Sequence, residues 1–215
     1  MNFDFTELAS ADAFKLLSSV VVPRPIAWVV SLSAEGCLNA APFSFFNVVS
    51  SDPPIVALGI GPRNGQLKDT SRNILATREF VVNVASAALA QQMNHTSLDY
   101  IADVDELARA GLTTAPSLRV RPPRIAQSPA ALECTVWQVL EAAPQRVIVL
   151  ARVVAMYLRD RAILDHRRFH VDTPSLELLG RMHGAGWYTR TSDLFQMPAP
   201  DAAGDPTVRP AQGHR

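Results

Sequence analysis

Short runs of apolar, mostly β-branched residues follow one another along the chain, and turn residues rich in proline, glycine and asparagine separate them. Five such runs, at residues 26–30, 55–60, 79–84, 132–141 and 146–158, predict β-strands. These strands come mostly as neighbours joined by turns, and they do not alternate with long helices. The pattern therefore disfavours a doubly wound parallel sheet and predicts a closed or partly open antiparallel barrel.

Short helices are predicted before and between these strands, each starting at a residue type that caps helix N-termini. The predicted helices cover residues 10–17, residues 70–77 after a cap at Asp69 or Thr70, residues 87–93 after a cap at Ser86, and a helix that follows a capping box at residues 103–106 and ends at Gly111. The predicted class is therefore mainly β with short inserted helices.

The segment at residues 38–49 combines small residues, three phenylalanines, a serine, two asparagines and Pro42. Pro42 cannot donate to a sheet ladder, so the middle of the segment is predicted to be an edge, a bulge or a loop. A flat, mostly apolar ligand with polar edges is bound by such a mixture of side chains. An aromatic barrel core has the same composition, and the segment alone leaves both interpretations open.

The segment Lys-Asp-Thr-Ser-Arg-Asn at residues 68–73 lies at a predicted helix start and contains one of the two lysines in the chain. Free backbone N–H groups and the positive end of the helix dipole at such a start favour a phosphate. An ordinary helix cap with solvated charges accounts for the same residues, so this stretch alone does not decide between the two.

Composition excludes several function classes. The 215 residues carry 20 Lys+Arg and 20 Asp+Glu, so no global field attracts nucleic acid or an anionic membrane. The longest apolar segment, at residues 147–158, falls short of the ~18 residues of a membrane span. The acidic start lacks the basic region of a signal peptide, and two cysteines without CxxC spacing fit a reducing compartment. We expect a cytoplasmic protein with no nucleic-acid or membrane partner.

Other familiar sites are disfavoured by their spacing or surroundings. Gly59, Gly61 and Gly65 do not have the spacing of a dinucleotide fingerprint. His166 and His170 lie four residues apart in an arginine-rich stretch that would repel a cation, so no metal site is expected. No nucleophile or acid–base dyad stands out, and no catalytic side chain is predicted.

Several motifs, taken in their order along the chain, resemble the flavin reductase-like, FMN-binding split-barrel family that includes flavoredoxin. The motifs are PRPIAWVVS at residues 23–31, GCLNAAPFSFFN at 36–47, SDPP at 51–54, KDTSRNI at 68–74, EFVVN at 79–83, DELARAGL at 105–112, LEC at 132–134 and LGRMHGAGWY at 179–188. The resemblance covers about residues 15–195. Each motif is weak alone, and their common order carries the assignment.

The resemblance implies a six-stranded antiparallel Greek-key split β-barrel over residues 1–196, followed by a Pro/Ala-rich tail at residues 197–215 that we expect to be disordered. It also implies a homodimer with FMN near the interface. Carried over by position, the residues lining the isoalloxazine ring are Asn39, Phe43, Ser44, Phe45 and Asn47. Those holding the phosphate are Lys68, Thr70 and Asn73, with Ser97 and Arg146 as further contacts and Arg181 closing the site.

The implied activity is an NAD(P)H-dependent flavin reductase that transfers hydride to flavin N5 and on to free flavin or to an oxygenase or electron-transfer partner. The alternative is a non-enzymatic FMN electron carrier, like flavoredoxin, reduced by a protein partner. The chain departs from the family pattern at Arg146, where relatives can have histidine, and at Met182 and His183. These departures concern the second-substrate pocket. The preference between NADH and NADPH and the identity of the acceptor are not readable from the sequence.

Overall fold

The computed structural model describes residues 1–101 and 104–198. Its α-helices are α1 (Ser10–Val20), α2 (Asp69–Thr77), α3 (Ala90–His95) and α4 (Glu106–Arg109). Its strands are β1 (Arg24–Pro25), β2 (Ala27–Leu32), β3 (Leu38–Phe43), β4 (Phe46–Ser51), β5 (Pro54–Ile60), β6 (Glu79–Val84), β7 (Thr114–Ala115), β8 (Arg124–Ile125), β9 (Ala130–Ala143), β10 (Arg146–Leu158), β11 (Ile163–Asp165), β12 (His170–Val171), β13 (Leu179–Arg181) and β14 (Tyr188–Arg190). Short 3₁₀ helices cover Ala87–Leu89, Asp160–Ala162 and Thr173–Leu176.

Seven antiparallel strands form the principal sheet, in the order β3-β2-β6-β9-β10-β5-β4. Its two edge strands, β3 and β4, are consecutive in the chain and are separated only by Ser44 and Phe45. One half of this bent segment pairs with β2 and the other half pairs with β5. Counted as one bent strand, the segment closes a six-stranded barrel, which confirms the predicted antiparallel barrel class.

The bend between β3 and β4 has a clear physical basis. Pro42 lies opposite Trp28 of β2, on an edge strand where a missing N–H costs no ladder bond on the open side. After Phe43 the chain turns, and the Phe45 carbonyl accepts a 2.7 Å hydrogen bond from the Gly59 N–H of β5. A Cβ at Gly59 would lie 3.2 Å from the Phe45 Cβ, so glycine permits this close approach.

Apolar side chains on the two faces of the sheet form two cores. The barrel interior contains Val29, Phe80, Leu58 and Val149, and Ile74 of α2 packs into the same cluster. The outer face packs under α3 and α4, with Trp28 at its centre. Because α2 connects β5 to β6 while packing against the interior, its N-terminus is held at one end of the barrel, beside β3.

Local signals place most elements correctly, with differences at helix starts. Ser10 is the first residue of α1 rather than its cap, and the predicted helix after Ser86 is a 3₁₀ turn followed by α3. Asp105 caps α4 by accepting the Ala108 N–H at 3.0 Å, and Asp103 lies outside the described residues. Of the predicted tail, residues 199–215 lie outside them as well.

Within the described part of the chain, no helix is both long enough and apolar enough to cross a membrane.

Candidate functional site

The two segments singled out from the sequence meet in the structure. The Asn39 side-chain amide of β3 lies 2.9 Å from the Thr70 hydroxyl of α2, and both side chains are buried. The Lys68 Nζ lies 5.4 Å from the centre of the Phe43 ring. The start of α2 therefore packs directly against β3, the first half of the bent segment.

A polar cavity of about 140 Å³, called the cradle below, opens at this junction and is lined by Asn39, Phe43, Lys68 and Thr70. Lys68 is the N-cap of α2 and makes no capping bond with its side chain, so the first N–H groups of the helix are left without a side-chain acceptor. Burial lowers the pKa of Lys68, the Arg63 charge lowers it further and Asp99 opposes the change. The arrangement is that of an anion site at a helix N-terminus.

Two loops form the outer wall of the cradle. Arg63, in the loop after β5, donates to Asp99 at 2.5 Å and to the Ser97 carbonyl at 3.4 Å, which joins this loop to the segment after α3. Ser97 lines the cradle, and its hydroxyl donates to the Asn94 carbonyl at 2.6 Å. The Tyr100 hydroxyl lies 2.7 Å from His95 Nε2 and holds the same segment in place.

Buried polar pairs form the floor. The Trp28 indole N–H donates to the Thr96 hydroxyl at 2.9 Å, and Thr96 lines the cradle. Glu106, 8% exposed, accepts the Ala40 N–H at 3.0 Å and lines the cradle as well. Burial raises the pKa of Glu106, two backbone N–H groups lower it, and the charges of Asp105 and Asp69 raise it. The sequence predicted only a capping-box role for Glu106.

A larger cavity of about 570 Å³, called the apolar cavity below, lies on the other side of the β3–β4 bend. Its walls come from α1, the bend, β5 and the start of β10, and they include Ser44, Phe45 and Asn47. Phe43 lines the cradle and Ser44 lines the apolar cavity, so successive residues of one bend face the two spaces. Phe45 is 45% exposed, and its ring centre lies 6.1 Å from that of Phe14 in α1.

Two arginines bring positive charge to the apolar cavity. Arg24 is 8% exposed and donates to the carbonyls of Ser18, Val21 and Met182 at 2.8–3.0 Å. Burial lowers its pKa, and the neighbouring Arg181 charge lowers it further. Arg146 packs over Gly61, where a Cβ would lie 2.8 Å from one guanidinium nitrogen. Within residues 1–101 and 104–198, the Arg146 side chain has no hydrogen bond or ion pair.

Nine of the eleven predicted site residues line one of the two cavities. Asn39, Phe43, Lys68, Thr70 and Ser97 line the cradle, and Ser44, Phe45, Asn47 and Arg146 line the apolar cavity. Asn73 does not line either cavity, because it lies about one turn further along α2 and donates to the Ser31 hydroxyl at 3.2 Å. Arg181 lies over the Tyr188 ring and donates to the Gly184 carbonyl at 2.9 Å, and it does not line either cavity.

The residues missed from the sequence are Arg24, Arg63, Thr96 and Glu106. Arg24 carries a signal that could have been used, because a charged residue between two prolines and directly before a buried strand must find partners inside the protein. Arg63 lies in a polar loop five residues before Lys68, and nothing local marks it. Thr96 and Glu106 are brought to the cradle only by tertiary packing.

Comparison with known proteins agrees with this architecture. A sequence model of the family described as "Flavin reductase like domain" matches residues 18–172. A protein of Deinococcus radiodurans is 44% identical over 201 residues, which cover 91% of this chain and 88% of that protein. The crystal structure of the 2-nitrobenzoate 2-nitroreductase NbaA from Pseudomonas fluorescens matches with 32% identity and a TM-score of 0.85, covering 99% of this chain and 100% of that one.

A second crystal structure, nitrilotriacetate monooxygenase component B from Bacillus cereus, matches with 27% identity and a TM-score of 0.84 over 92% of this chain and 98% of that chain. The family match extends from the end of α1 through β12, so it includes the barrel and both cavities. On this evidence, the chain belongs to the flavin reductase like domain family, as its motifs indicate.

Proposed function

We propose that this protein binds FMN and oxidises NAD(P)H with it, and that the phosphate lies in the cradle and the ring in the apolar cavity. One observation carries the proposal: a charged helix N-terminus and a large apolar space adjoin one bend of one strand, with Phe43 facing the first and Ser44 the second. A ligand with an anionic end and a flat apolar end fits that pair of spaces.

The residues present fit the phosphate end of FMN. Lys68 supplies a cation, Thr70 supplies a hydroxyl and the first turn of α2 supplies N–H groups without side-chain acceptors. Ser97 reaches the cradle from the opposite loop, and Arg63 adds a second cation beside it. We assign phosphate binding to Lys68, Thr70 and Ser97, while Asn73 supports α2 from behind through Ser31.

The residues present also fit the ring end. A volume of about 570 Å³ is ample for a planar ring system, because ligand sites commonly occupy about 300–1,000 Å³. Bound FMN would supply the hydride and electron-transfer chemistry, and the residues of the protein would supply position and charge. Phe45 and Ser44 offer one apolar and one polar contact at the bend. The guanidinium groups of Arg24 and Arg146 favour a ligand that gains negative charge.

The two structural neighbours support two classes of electron acceptor for this chain. One neighbour is a component of a monooxygenase, which supports an oxygenase partner that consumes reduced flavin. The other is a nitroreductase acting on an aromatic acid, and an apolar cavity with two arginines also fits an aromatic carboxylate. Exposed apolar residues of α1 and β4, including Val20, Val48 and Val49, flank the apolar cavity, which supports a homodimer that covers it.

Anaerobic titration of the FMN-loaded protein with NADH and with NADPH tests the proposal. We expect one equivalent of nicotinamide to bleach one equivalent of bound flavin, faster than it bleaches free FMN at the same concentration. Added acceptor, either free FMN or 2-nitrobenzoate, should then restore the oxidised spectrum and identify the acceptor class. If neither nicotinamide is oxidised with acceptor in excess, the reductase assignment is wrong. Reduction by a protein donor alone would then support the electron-carrier alternative.

A further inference from the structure

Glu106 is a buried carboxyl that the proposed chemistry leaves without a role. It is the first residue of α4 and is only 8% exposed. The capping bond of α4 comes from Asp105, so the Glu106 side chain is not needed to start the helix. It points towards β3, where one carboxyl oxygen, Oε2, accepts the Ala40 N–H at 3.0 Å. Its other oxygen, Oε1, is left for a neighbour on the cradle side.

That neighbour is Asn39, which joins Glu106 to the cradle hydroxyl of Thr70. One end of the Asn39 amide lies 3.2 Å from Glu106 Oε1, and the other end lies 2.9 Å from Thr70 Oγ1. The amide has two orientations related by a half-turn, because its nitrogen and oxygen occupy nearly equivalent positions. Each orientation satisfies the three groups only in one protonation state of Glu106.

With Glu106 ionised, the Asn39 nitrogen donates to Oε1 and the Asn39 oxygen accepts the Thr70 proton. The Thr70 hydroxyl is then already committed as a donor and cannot donate to a ligand. With Glu106 protonated, its O–H donates to the Asn39 oxygen, and the Asn39 nitrogen donates to Thr70 Oγ1. The Thr70 proton is then free to point into the cradle. A single side chain, Asn39, thus transmits the protonation state of Glu106 to Thr70.

The charges around Glu106 favour uptake of that proton when an anion is present. Its own helix contributes Asp105, the facing helix α2 contributes Asp69, and the adjoining cradle wall contributes Lys68 and Arg63 as cations and Tyr100. Burial already raises the Glu106 pKa, ahead of every other cause. A phosphate in the same cavity adds like charge and raises it further.

We propose that Glu106 is a positioning residue of the cradle, and that its protonation turns Asn39 so that the Thr70 hydroxyl donates to the phosphate of a bound ligand. Binding then takes up one proton from solvent onto the Glu106 carboxylate, and no covalent bond forms or breaks. The inference rests on the proposed function, because it takes the cradle as the phosphate site.

The test compares wild-type protein with Glu106→Gln, using FMN and riboflavin as probes between pH 5 and pH 8. Glutamine mimics the protonated acid: its oxygen accepts from Ala40 and its N–H₂ donates to Asn39. We expect Glu106→Gln to bind FMN about tenfold more tightly than wild type at pH 8, the size of one charge-assisted hydrogen bond. The advantage should shrink towards pH 5, where the wild-type glutamate takes up its proton. Riboflavin affinity should be the same in both proteins at every pH.

The readout is the ratio of the two FMN affinities at each pH, because the phosphate of FMN itself titrates near pH 6 and this contribution cancels. Glu133→Gln is the matched control, since Glu133 is also buried but accepts from Leu118 and Arg119, away from the cradle. It should leave the ratio at one. In a Thr70→Val background, the gain from Glu106→Gln should shrink to the part that comes from removing a like charge beside the phosphate, because no hydroxyl is left to release. An undiminished gain would overturn the inference.

A constant affinity ratio across the pH range, or an equal loss of FMN and riboflavin in Glu106→Gln, would overturn the inference. If Glu106→Gln does not fold, Thr70→Val decides: the FMN affinity of wild-type protein should rise more steeply towards pH 5 than that of Thr70→Val, and equal pH profiles would overturn the inference. A different result bears on the proposed function: if wild-type protein binds FMN and riboflavin equally at every pH, the cradle is not a phosphate site at all.

Discussion

The cradle and the apolar cavity adjoin the same bend but are built in opposite ways. The floor of the cradle consists of buried side chains held by hydrogen bonds: Asn39 with Thr70, Thr96 with the Trp28 indole, and Glu106 with the Ala40 N–H. The apolar cavity is lined by side chains with much of their surface in solvent, such as Leu17 at 47% and Phe45 at 45% exposed. The polar groups of the cradle are held in place by hydrogen bonds within the fold, whereas the apolar cavity is open to solvent.

The two cavities would contribute to flavin binding in different ways. Pre-formed polar groups lose little freedom when a ligand arrives, so the cradle should contribute selectivity for a phosphate. An open apolar wall binds any flat ring, and its contribution to affinity increases only when a covering surface excludes water from it. Changes in the cradle should therefore separate FMN from riboflavin, whereas changes in the apolar cavity should affect both alike.

The largest expected effect comes from removing the cation and the hydroxyl of the cradle together. Lys68→Ala with Thr70→Ala should weaken FMN binding by about 2–4 kcal/mol, because two charge-assisted contacts to the phosphate are lost. Riboflavin, which has no phosphate, should bind almost as before. Calorimetric titration of both ligands into the apo-protein measures the difference.

Lys15→Ala is the control for this double variant. Lys15 is the other lysine in the chain, and it lies on α1 paired with Asp12 at 2.9 Å. Its loss should change neither affinity. Equal weakening of FMN and riboflavin by the double variant would mean that the phosphate binds elsewhere and that the contrast between the cavities is misplaced.

The floor of the cradle provides the next largest effect. Thr96→Val keeps the side-chain shape but removes the acceptor for the fully buried Trp28 indole N–H. An unsatisfied buried donor costs about 1–3 kcal/mol, so urea denaturation should show a loss of this size with an unchanged m-value. A matched substitution, Thr189→Val on β14, should cost much less, because its hydroxyl makes only a solvent-exposed hydrogen bond to the Arg190 carbonyl. No loss in Thr96→Val would show that the floor is not fixed by this bond.

Some of these features are predictable from the sequence and others are not. The strand Glu79–Val84 and the end of α2 at Thr77 agree with the predicted bounds, because an apolar run and a helix start are local signals. The two segments that carry the motifs meet in the structure, where Thr70 lies 2.9 Å from the Asn39 amide. The division into two cavities was not predictable, since it depends on β3 pairing with β2 while β4 pairs with β5.

Glu106 and Asn73 show why single positions were harder. Asp105 and Glu106 are adjacent carboxylates at the start of a short helix, and either could cap it. In the structure Asp105 is the cap, and Glu106 is the first helical residue and is buried. Asn73 has the right residue type in the right motif, but it lies three residues beyond Thr70, so it reaches Ser31 of β2 instead of the cradle. Such assignments depend on how α2 is rotated about its axis against β2 and β3, which no local pattern records.

A smaller effect is expected in the apolar cavity. Phe45→Ala removes one ring from an open wall, and we expect a loss of about 1 kcal/mol for FMN and for riboflavin alike. Phe14→Ala on the facing helix is the companion variant, because the two rings contact each other in a tilted pair. Fluorescence titration of both flavins gives the ratio of the loss in FMN affinity to the loss in riboflavin affinity. A loss confined to FMN would remove the distinction between the two cavities.

The smallest effect tests how closed the barrel interior is compared with the region beside the cradle. Cys37 is exposed and lines a small cavity next to Asn39, whereas Cys134 is fully buried, and burial raises its pKa to about 12. Only a thiolate reacts quickly with a disulfide reagent, so at pH 8 the native protein should react at one thiol and the unfolded protein at two. Cys37→Ser should abolish the native reaction and leave one thiol after unfolding. Rapid reaction of Cys134 in the native state would show that the barrel interior opens as readily as the surface beside the cradle, and the barrel would then not be the rigid support on which a pre-formed cradle depends.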